Sequence, residues 1–401
     1  MTDQSFDVIV VGAGLMGSAA ARHLAEMGAR TALIGPAEPA VKAAHTGVFA
    51  SHYDQARITR KIDTRKNWGR FAQAAIARYG EIEQKGGVPF FSDVGAVIAG
   101  PELGRGRDFI LNAQRNAVAD GVVHQALRGL DLATRFPDFV FPQGILALYE
   151  PTEAGWINPR AHVSAEIAAA QAAGAYVRRD TVAQITEQPG EARVVCVGGD
   201  VVTAGKVIVA CGAFSKAEGL LPDPIPMDVY ARTIAFFELD GAEAARLAGM
   251  PSVVYLPPDL RADPYILPPV RYPDGKTYIK IGGDAVDRKL ESAAEMIDWF
   301  RSGGDPVAGA AMAEILTGLM PGLAFRSISF DSCATSFSPN GNPFIYPQSD
   351  QIIALTAGNG AGAKSADELG RLGALVATGG AIPADLYEGA FAPSSIPFKA
   401  R

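Results

Sequence analysis

The sequence predicts an α/β fold that is interrupted by a β-rich middle region. An apolar run over residues 6–11 leads into a glycine loop and then a helical pattern, which is typical of a buried parallel strand followed by a helix. The same order returns near the end of the chain, where the run 351–358 precedes a second glycine loop and a helix. Between residues 222 and 325, strands rich in aromatic residues and proline are typical of a mixed or antiparallel sheet.

The first glycine loop has the spacing Gly12-x-Gly14-x-x-Gly17. In a strand–turn–helix unit the first glycine permits the tight turn, the second lets the backbone approach a pyrophosphate, and the third allows close helix–strand packing. The phosphates then lie at the N-terminus of the helix. The loop, with Ala13 and Met16, therefore predicts a Rossmann-type dinucleotide site, but by itself it does not distinguish FAD from NAD.

The second strand of this unit, residues 30–34, is followed by Gly35. At this position an acidic residue usually binds a ribose hydroxyl. Glu38 follows three residues later and is the candidate substitute. The missing acid counts more against NAD than against FAD.

Composition and charge indicate a compact protein whose partners are small molecules. The 401 residues suffice for about two to three domains, and a hydrophobic share of 48% is enough for a large core. The net charge of -7 argues against nucleic acid or an anionic membrane as a partner, and no apolar run is long enough to span a bilayer. The cysteines, Cys196, Cys211 and Cys333, are too few and odd in number for a disulfide framework. We therefore expect a cytoplasmic protein without a metal site.

Two local patterns add geometric expectations. Arg57 and Arg60 stand three residues apart in the polar segment Ser51–Arg60, so they would face the same way on a helix or in a tight turn. Near the end of the chain, Ser365-x-x-Glu368 has the form of a capping box, so we expect the last helix to begin at Ser365.

Six segments in register resemble the D-amino-acid oxidase superfamily of FAD-dependent oxidoreductases, and within it the group of monomeric sarcosine oxidase and pipecolate oxidase. They are the first glycine loop, Ser51–Arg60, Ala210–Ala213, Tyr278–Gly282, Cys333–Ile345 and Gly360–Lys364. The resemblance implies a Rossmann-type FAD-binding domain of residues 1–86, 151–221 and 327–401, interleaved with a substrate domain of residues 87–150 and 222–326. It also implies oxidation of the C–N bond of a secondary (N-methyl, N-alkyl or cyclic) or primary amino acid. A hydride passes to flavin N5, the imine hydrolyses, and O2 is reduced to H2O2.

The resemblance assigns the cations of these segments to the reaction centre. Lys280 matches the lysine that activates O2 beside the flavin, where a positive charge in a dry site stabilises developing negative charge. Arg57 matches an arginine close to the flavin ring and is the second catalytic candidate. Arg60 and Lys364 match the pair that binds the substrate carboxylate, which fits the preference of a carboxylate for converging cations.

Further residues are implied in cofactor binding. Those outside the first loop are Ser51, Cys211, Gly212, Gly360, Gly362, Ala363 and Lys364. The last four are expected to offer backbone N–H groups to the pyrimidine end of the flavin. Cys333 matches the cysteine that forms a thioether to the flavin 8α-methyl group. Covalent FAD through Cys333 therefore stands as the alternative to a buried, unreactive thiol.

The chain departs from this group at two positions of the substrate pocket. Asp284 stands where the group has a histidine, and His52 followed by a tyrosine replaces two adjacent histidines. A pocket that contains Asp284 favours a substrate with an extra polar or cationic group over sarcosine. Tyr265, His45 and Arg232 are further candidates for the pocket.

Two other functions stay open. One is an FAD-dependent amino-acid dehydrogenase that passes electrons to a quinone or a carrier protein. The other is a flavin-binding subunit of a larger complex, which would need a large exposed apolar surface. An NAD enzyme is disfavoured by Gly35 and by the second glycine loop.

Overall fold

The computed structural model describes residues 5–258 and 262–393. Its strands are β1 (Ser5–Val11), β2 (Thr31–Ile34), β3 (Arg57–Thr59), β4 (Phe91–Ser92), β5 (Ala96–Pro101), β6 (Gln125–Arg128), β7 (Ile145–Glu150), β8 (Gly155–Ile157), β9 (Tyr176–Arg178), β10 (Val182–Gln188), β11 (Glu191–Cys196), β12 (Val201–Val209), β13 (Asp228–Leu239), β14 (Ser252–Tyr255), β15 (Tyr265–Arg271), β16 (Thr277–Gly282), β17 (Ser327–Phe337), β18 (Phe344–Pro347) and β19 (Ile352–Thr356). Its helices are α1 (Leu15–Glu26), α2 (Lys66–Ile76), α3 (Tyr79–Gly86), α4 (Arg107–Ala119), α5 (Gly129–Arg135), α6 (Pro159–Ala172), α7 (Gly241–Arg246), α8 (Ala293–Arg301), α9 (Pro306–Leu319) and α10 (Gly362–Ala377). Short 3-10 turns cover Lys42–Ala44 and Gly212–Lys216.

The first sheet carries both glycine loops. Its strands lie in the order β10-β11-β12-β1-β2-β9, and β1 runs parallel to both β12 and β2. Near its C-terminal end, β12 also pairs in parallel with β19, and β19 pairs antiparallel with β18. Because β1 and β19 flank the same strand and run in the same direction, the two loops that follow them lie at one edge of the sheet.

The central strand β1 is buried on both faces, as expected for a parallel strand covered on both sides. Val8 and Val10 pack in one cluster with Leu24 of α1 and Leu369 of α10. Ile9 points the other way, into a second cluster. Each fully buried aliphatic side chain of this kind contributes about 1.5–3 kcal/mol. The edge that carries the loops is therefore rigidly supported.

The second sheet confirms the predicted mixed sheet of the middle region. Its strands lie in the order β17-β13-β16-β15-β14-β5-β7-β6, in which β14 and β5 are parallel and the other neighbours antiparallel. A small antiparallel sheet, β3-β8-β4, contains Arg57. In the described part of the chain, no helix is long and apolar enough to cross a membrane.

Sheet membership differs from the expected domain boundaries at strand β17. Strand β17 pairs with β13 along its whole length, from Ser327 opposite Glu238 to Phe337 opposite Asp228. The return of the chain to the first sheet therefore falls after Phe337 rather than at residue 327. The division into an FAD-binding domain and a substrate domain stays a prediction.

The last helix begins earlier than expected. Helix α10 starts at Gly362, and Ser365 lies inside it with its hydroxyl buried. Glu368 closes no capping box, because its carboxylate accepts hydrogen bonds from Arg78 at 2.5 Å and from Tyr387 at 2.8 Å. The capping-box prediction is wrong, since these buried tertiary contacts outweigh the local pattern.

Candidate active site

A cavity of about 300 Å³ lies where the two glycine loops face the second sheet. Its wall contains many of the predicted cofactor and site residues: Gly12, Ala13, Gly14, Met16, Ser51, His52, Arg57, Cys211, Gly212, Cys333, Gly360, Gly362 and Ala363. Among the described residues, the wall does not include Gly17, Glu38, Arg60, Tyr265, Lys280, Asp284 or Lys364. The predicted cofactor and substrate residues therefore separate into a group on the wall of the cavity and a group outside it.

The first loop has the geometry that a dinucleotide requires. Gly12 has a φ of 108°, and a Cβ atom there would lie 2.5 Å from the carbonyl oxygen of Ala210. A Cβ atom on Gly17 would overlap the carbonyl oxygen of Gly12. Gly14 is the N-cap of α1, and no side chain of the described residues caps this helix. Its first N–H groups are therefore left to a bound phosphate, so the loop fits the predicted cofactor.

The missing acid at the end of β2 has a steric reason. A Cβ atom on Gly35 would collide with the backbone nitrogen of Ala13. Arg160 holds the carboxylate of Glu38 with Nη2–Oε1 at 2.7 Å and Nε–Oε2 at 2.8 Å, and binding of a ribose hydroxyl by Glu38 stays a prediction. The backbone of the loop thus occupies the space where a longer side chain would begin.

The second loop is tied to the second sheet. The backbone N–H of Asn359 donates to the carbonyl of Ser336 at 2.8 Å, and the amide oxygen of Asn359 accepts from the N–H of Ser338 at 3.1 Å. Gly360 takes a φ of 73°, which favours glycine. These bonds hold the start of α10 against the end of β17.

Arg57 and Cys333 meet on the wall of the cavity. The guanidinium donates from Nη2 to the sulfur of Cys333 at 3.5 Å and to the carbonyl of Ser51 at 3.1 Å. The thiol of Cys333 is half-buried.

Lys280 is buried, with 1% of its surface exposed, and pairs with a carboxylate. Its Nζ atom donates to Oδ2 of Asp54 at 2.6 Å and to the carbonyl of Ala56. Asp54 also pairs with Arg57 and accepts from the hydroxyl of Tyr272 at 2.8 Å. Burial lowers the pKa of Lys280, and the charge of Arg57 adds to this effect. The shared carboxylate compensates the burial of both cations.

Arg60 and Lys364 also come together, but around a carboxylate of the protein itself. Lys364 Nζ lies 2.9 Å and Arg60 Nη1 3.2 Å from Oδ2 of Asp63. The backbone N–H of Arg65 donates to the other carboxylate oxygen at 3.0 Å. The charges of Lys364 and Arg60 outweigh burial and lower the pKa of Asp63, whereas burial lowers the pKa of Lys364 to about 8. Binding of a substrate carboxylate by this pair stays a prediction.

The predicted common face of Arg57 and Arg60 is wrong. Both residues lie on or directly after strand β3 rather than on a helix. On extended backbone, side chains three residues apart point to opposite sides. Arg57 therefore reaches Cys333, while Arg60 reaches Asp63.

His52 lies at the cofactor loop, apart from the buried cations around Asp63. A Cβ atom on Gly14 would lie 3.7 Å from Nδ1 of His52. Burial, reinforced by the charge of Arg160, lowers the pKa of His52 to about 3. The imidazole is therefore neutral at physiological pH, and it lies where phosphates are expected.

The remaining substrate-pocket candidates differ in their contacts. The ring of Tyr265 lies 6.0 Å from Lys280 Nζ, and burial raises the pKa of Tyr265 to about 12. The carboxylate of Asp284 is buried and accepts backbone N–H bonds from Thr233 and, at 3.1 Å, from Val286. Burial raises the pKa of Asp284.

Two further candidates are engaged elsewhere. Arg232 donates to the carbonyl of Val286 at 2.7 Å and to Asp287 at 3.0 Å. His45 Nε2 lies 3.1 Å from the carbonyl oxygen of Val48. Neither residue contributes to the wall of the cavity within the described ranges.

Sequence reasoning missed several residues of the site. Asp54 and Asp63 flank the two arginines in one polar segment, and this alternation of charges was the available signal. Thr335 lines the cavity two positions after Cys333, and its buried hydroxyl has no partner among the described residues. The cavity also touches residues 180–183, which carried no motif.

The comparisons with known proteins agree with this geometry. The chain matches the DAO family of FAD dependent oxidoreductases over residues 7–375. A monomeric sarcosine oxidase of Bacillus sp. (strain NS-129) is 30% identical over 249 residues, which span 62% of this chain and 62% of that relative. An N-methyl-L-tryptophan oxidase of Yersinia pestis (strain Pestoides F) is 24% identical over 95% of this chain and 97% of its own. The solved structure of NikD, an unusual amino acid oxidase essential for nikkomycin biosynthesis, shares the fold with a TM-score of 0.75 and 20% identity, covering 99% of this chain and 100% of that one.

The fold and the cavity thus define a flavin-dependent oxidoreductase. The chain belongs to the DAO family of FAD-dependent oxidoreductases, and FAD is its cofactor.

Proposed function

We propose that this protein oxidises the C–N bond of an N-substituted or primary amino acid and reduces O2 to H2O2. The amine loses a hydride and a proton, so that its C–N bond becomes C=N, and water then hydrolyses the imine to a carbonyl compound and an amine. O2 takes up the two electrons and two protons. The observation that carries the proposal is the buried Lys280, which shares a carboxylate with Arg57 of the cavity wall.

Each part of the site has a place in this chemistry. When bound, FAD supplies the hydride acceptor and passes the electrons to O2. The loop Gly12–Gly17 and the N-terminus of α1 would hold its pyrophosphate, and the start of α10 would stabilise negative charge near the ring. Arg57 would lie beside the flavin, and Arg60 with Lys364 would bind the carboxylate of the substrate.

Lys280 would act on O2 through its charge. A buried ammonium group stabilises negative charge strongly because little water screens it. Asp54, at 2.6 Å from Nζ, favours the protonated form of Lys280 and so opposes the effect of burial.

The contact between Asp54 and Lys280 also favours a second candidate function. This is an amino-acid dehydrogenase that passes electrons to a quinone or a carrier protein. Asp54 neutralises part of the positive charge that O2 would need. An enzyme with this pairing would react slowly with O2 and rapidly with an artificial electron acceptor.

The two half-reactions separate these candidates. Lys280→Met should slow reoxidation of the reduced flavin by O2 by about tenfold or more, because removing one donor aimed at developing negative charge typically costs about 10²–10³ in rate. Flavin reduction should change much less. The measurement is anaerobic stopped-flow reduction by a panel of secondary and primary amino acids, followed by mixing with air. Lys276→Met is the matched control, since Lys276 is half-exposed just before β16 and pairs with Glu238 at 2.7 Å.

Equal losses in both half-reactions would contradict the role of Lys280. Slow reoxidation already in the unaltered enzyme would favour the dehydrogenase.

A further inference from the structure

Asp63 pairs with Arg60 and Lys364, the two cations that are expected to bind the carboxylate of the substrate. Its side chain is 4% exposed and receives Lys364 at 2.9 Å and Arg60 at 3.2 Å on one oxygen. The other oxygen accepts the backbone N–H of Arg65 at 3.0 Å, and the Nε atom of Arg65 lies 3.7 Å away. These are the contacts that a carboxylate ligand would make with the same cations.

The cluster still has capacity for a second anion. Three cationic side chains, Arg60, Arg65 and Lys364, surround the carboxylate of Asp63. The buried carboxylate of Glu150 also interacts electrostatically with Arg60 and Lys364, so the cations outnumber the carboxylates by one. The Nε atom of Arg60 is buried and has no hydrogen-bond partner among the described residues. Buried donors are nearly always paired in folded proteins, so an unused donor in an excess of positive charge indicates a place for an acceptor.

The cluster borders the cavity. Gly362 and Ala363 form part of its wall, and Lys364 is the next residue along α10. Arg65 of the cluster also donates from Nη2 to the carbonyl of Asn359 at 3.1 Å, between Gly358 and Gly360 of the wall, so the cluster lies beside the loop that bounds the cavity.

We propose that Asp63 is a specificity-determining residue that competes with the substrate carboxylate for Arg60 and Lys364. This inference rests on the proposed function, because it takes these cations as the carboxylate site. The negative charge of Asp63 holds the cations in position but lowers their affinity for an incoming carboxylate. Arg60 and Lys364 therefore bind the carboxylate of the substrate only weakly, and the protein accepts substrates that are bound in this way.

Ligand binding tests this without turnover. Acetate and its uncharged analogue acetamide are titrated into the holoenzyme, with heat of binding or thermal shift as the readout. Asp63→Asn should bind acetate about tenfold more tightly or better than the unaltered protein, because a negative charge next to the site is removed. Binding of acetamide should not change.

Two variants control the assignment. Asp120→Asn removes a different, partly buried carboxylate, which pairs with Arg70 at 3.0 Å, and should leave acetate binding unchanged. Adding Arg60→Gln to Asp63→Asn should abolish the gain. Unchanged or weaker acetate binding in Asp63→Asn, or a gain that survives Arg60→Gln, would overturn the proposal.

Kinetics provide a second readout. For an amino acid that reduces the flavin, Asp63→Asn should lower KM by about tenfold at similar kcat and should leave the KM of the decarboxylated amine unchanged. Asp63→Asn could be recovered unfolded. In that case acetate should restore its folding at concentrations where acetamide does not. Failure of acetate to restore folding would contradict the proposal. If no amine reduces the flavin, the proposed function fails, while the acetate titration still decides the role of Asp63.

Discussion

Cys333 lies 3.5 Å from Nη2 of Arg57 on the wall of the cofactor cavity. This position is consistent with either a thioether to FAD or a free thiol beside it. Acid precipitation distinguishes them, because covalent flavin stays in the protein pellet and dissociable flavin enters the supernatant. We expect the unaltered protein to give a yellow pellet and Cys333→Ser to release its flavin.

Cys211 is the matched control for this prediction. It also lines the cavity, and its sulfur lies 3.4 Å from the carbonyl oxygen of Val11. Cys211→Ser should keep the flavin in the pellet. A colourless pellet from the unaltered protein would rule out the thioether.

Helices α1, α6 and α10 and Arg78, the residue before α3, are joined by a buried network of charges. Arg22 of α1 donates to Glu166 of α6 at 2.5 Å and also pairs with Asp367 of α10. Asp367 accepts in addition from Arg78 at 2.5 Å and contacts His23 at 2.9 Å. Since α1 and α10 each follow a glycine loop, the network fixes the two loops relative to each other.

This network should make stability depend on acid pH. Burial alone would raise the pKa of Asp367, but the hydrogen bond from His23 and the charges of Arg78 and Arg22 outweigh burial and lower it. A carboxyl group with a lowered pKa stabilises the fold fully above its unfolded value of about 3.9, and this contribution is lost as the pH falls further. Asp367→Asn should therefore cost about 3–5 kcal/mol at pH 7, because cations stay buried without their partner.

Denaturant unfolding between pH 7 and pH 3 measures this effect. The difference between Asp367→Asn and the unaltered protein should shrink below about pH 4. Glu102→Gln, which removes a surface ion pair with Arg128 at 2.7 Å, should cost no more than about 1 kcal/mol. A cost of similar size in both variants would contradict the structural role of the network.

At the scale of the whole molecule, the cofactor should stabilise the fold. The cavity is bounded by loops from both ends of the chain, which meet at one edge of the first sheet, and by β17 of the second sheet, so a bound dinucleotide would link parts that are distant in sequence. Flavin-free protein, prepared from Cys333→Ser, should gain about 2.7 kcal/mol of stability at a hundredfold excess of FAD over its Kd. NAD should give no such gain.

Thermal unfolding with and without each dinucleotide provides the measurement. Gly12→Ala in the same background should lose the FAD effect, because the new Cβ atom would lie 2.5 Å from the carbonyl oxygen of Ala210. Gly241→Ala is the control, since its added Cβ would have no atom within 4 Å among the described residues other than its own chain neighbours. Equal stabilisation by NAD and FAD would refute the assignment of the site.

The parts that could be predicted from the sequence depend on short-range sterics. The spacing of Gly12, Gly14 and Gly17 is set by contacts within one strand–turn–helix unit, so the pattern alone identifies a dinucleotide loop. The repeat of that pattern before α10 and the alternating strands of the middle region likewise predicted both sheets. Family resemblance then named FAD, because several short motifs occur in the same order.

Only the tertiary structure decided how the charges of the site are paired. Asp54 and Asp63 were inconspicuous in the sequence. In the structure, Asp54 pairs with both Lys280 and Arg57, and Asp63 pairs with both Lys364 and Arg60. The partner of a buried charge depends on which distant elements pack beside it, and burial makes that pairing obligatory. For the same reason α10 begins at Gly362 rather than at Ser365. Where charged side chains are buried, long-range contacts outweighed the local sequence pattern.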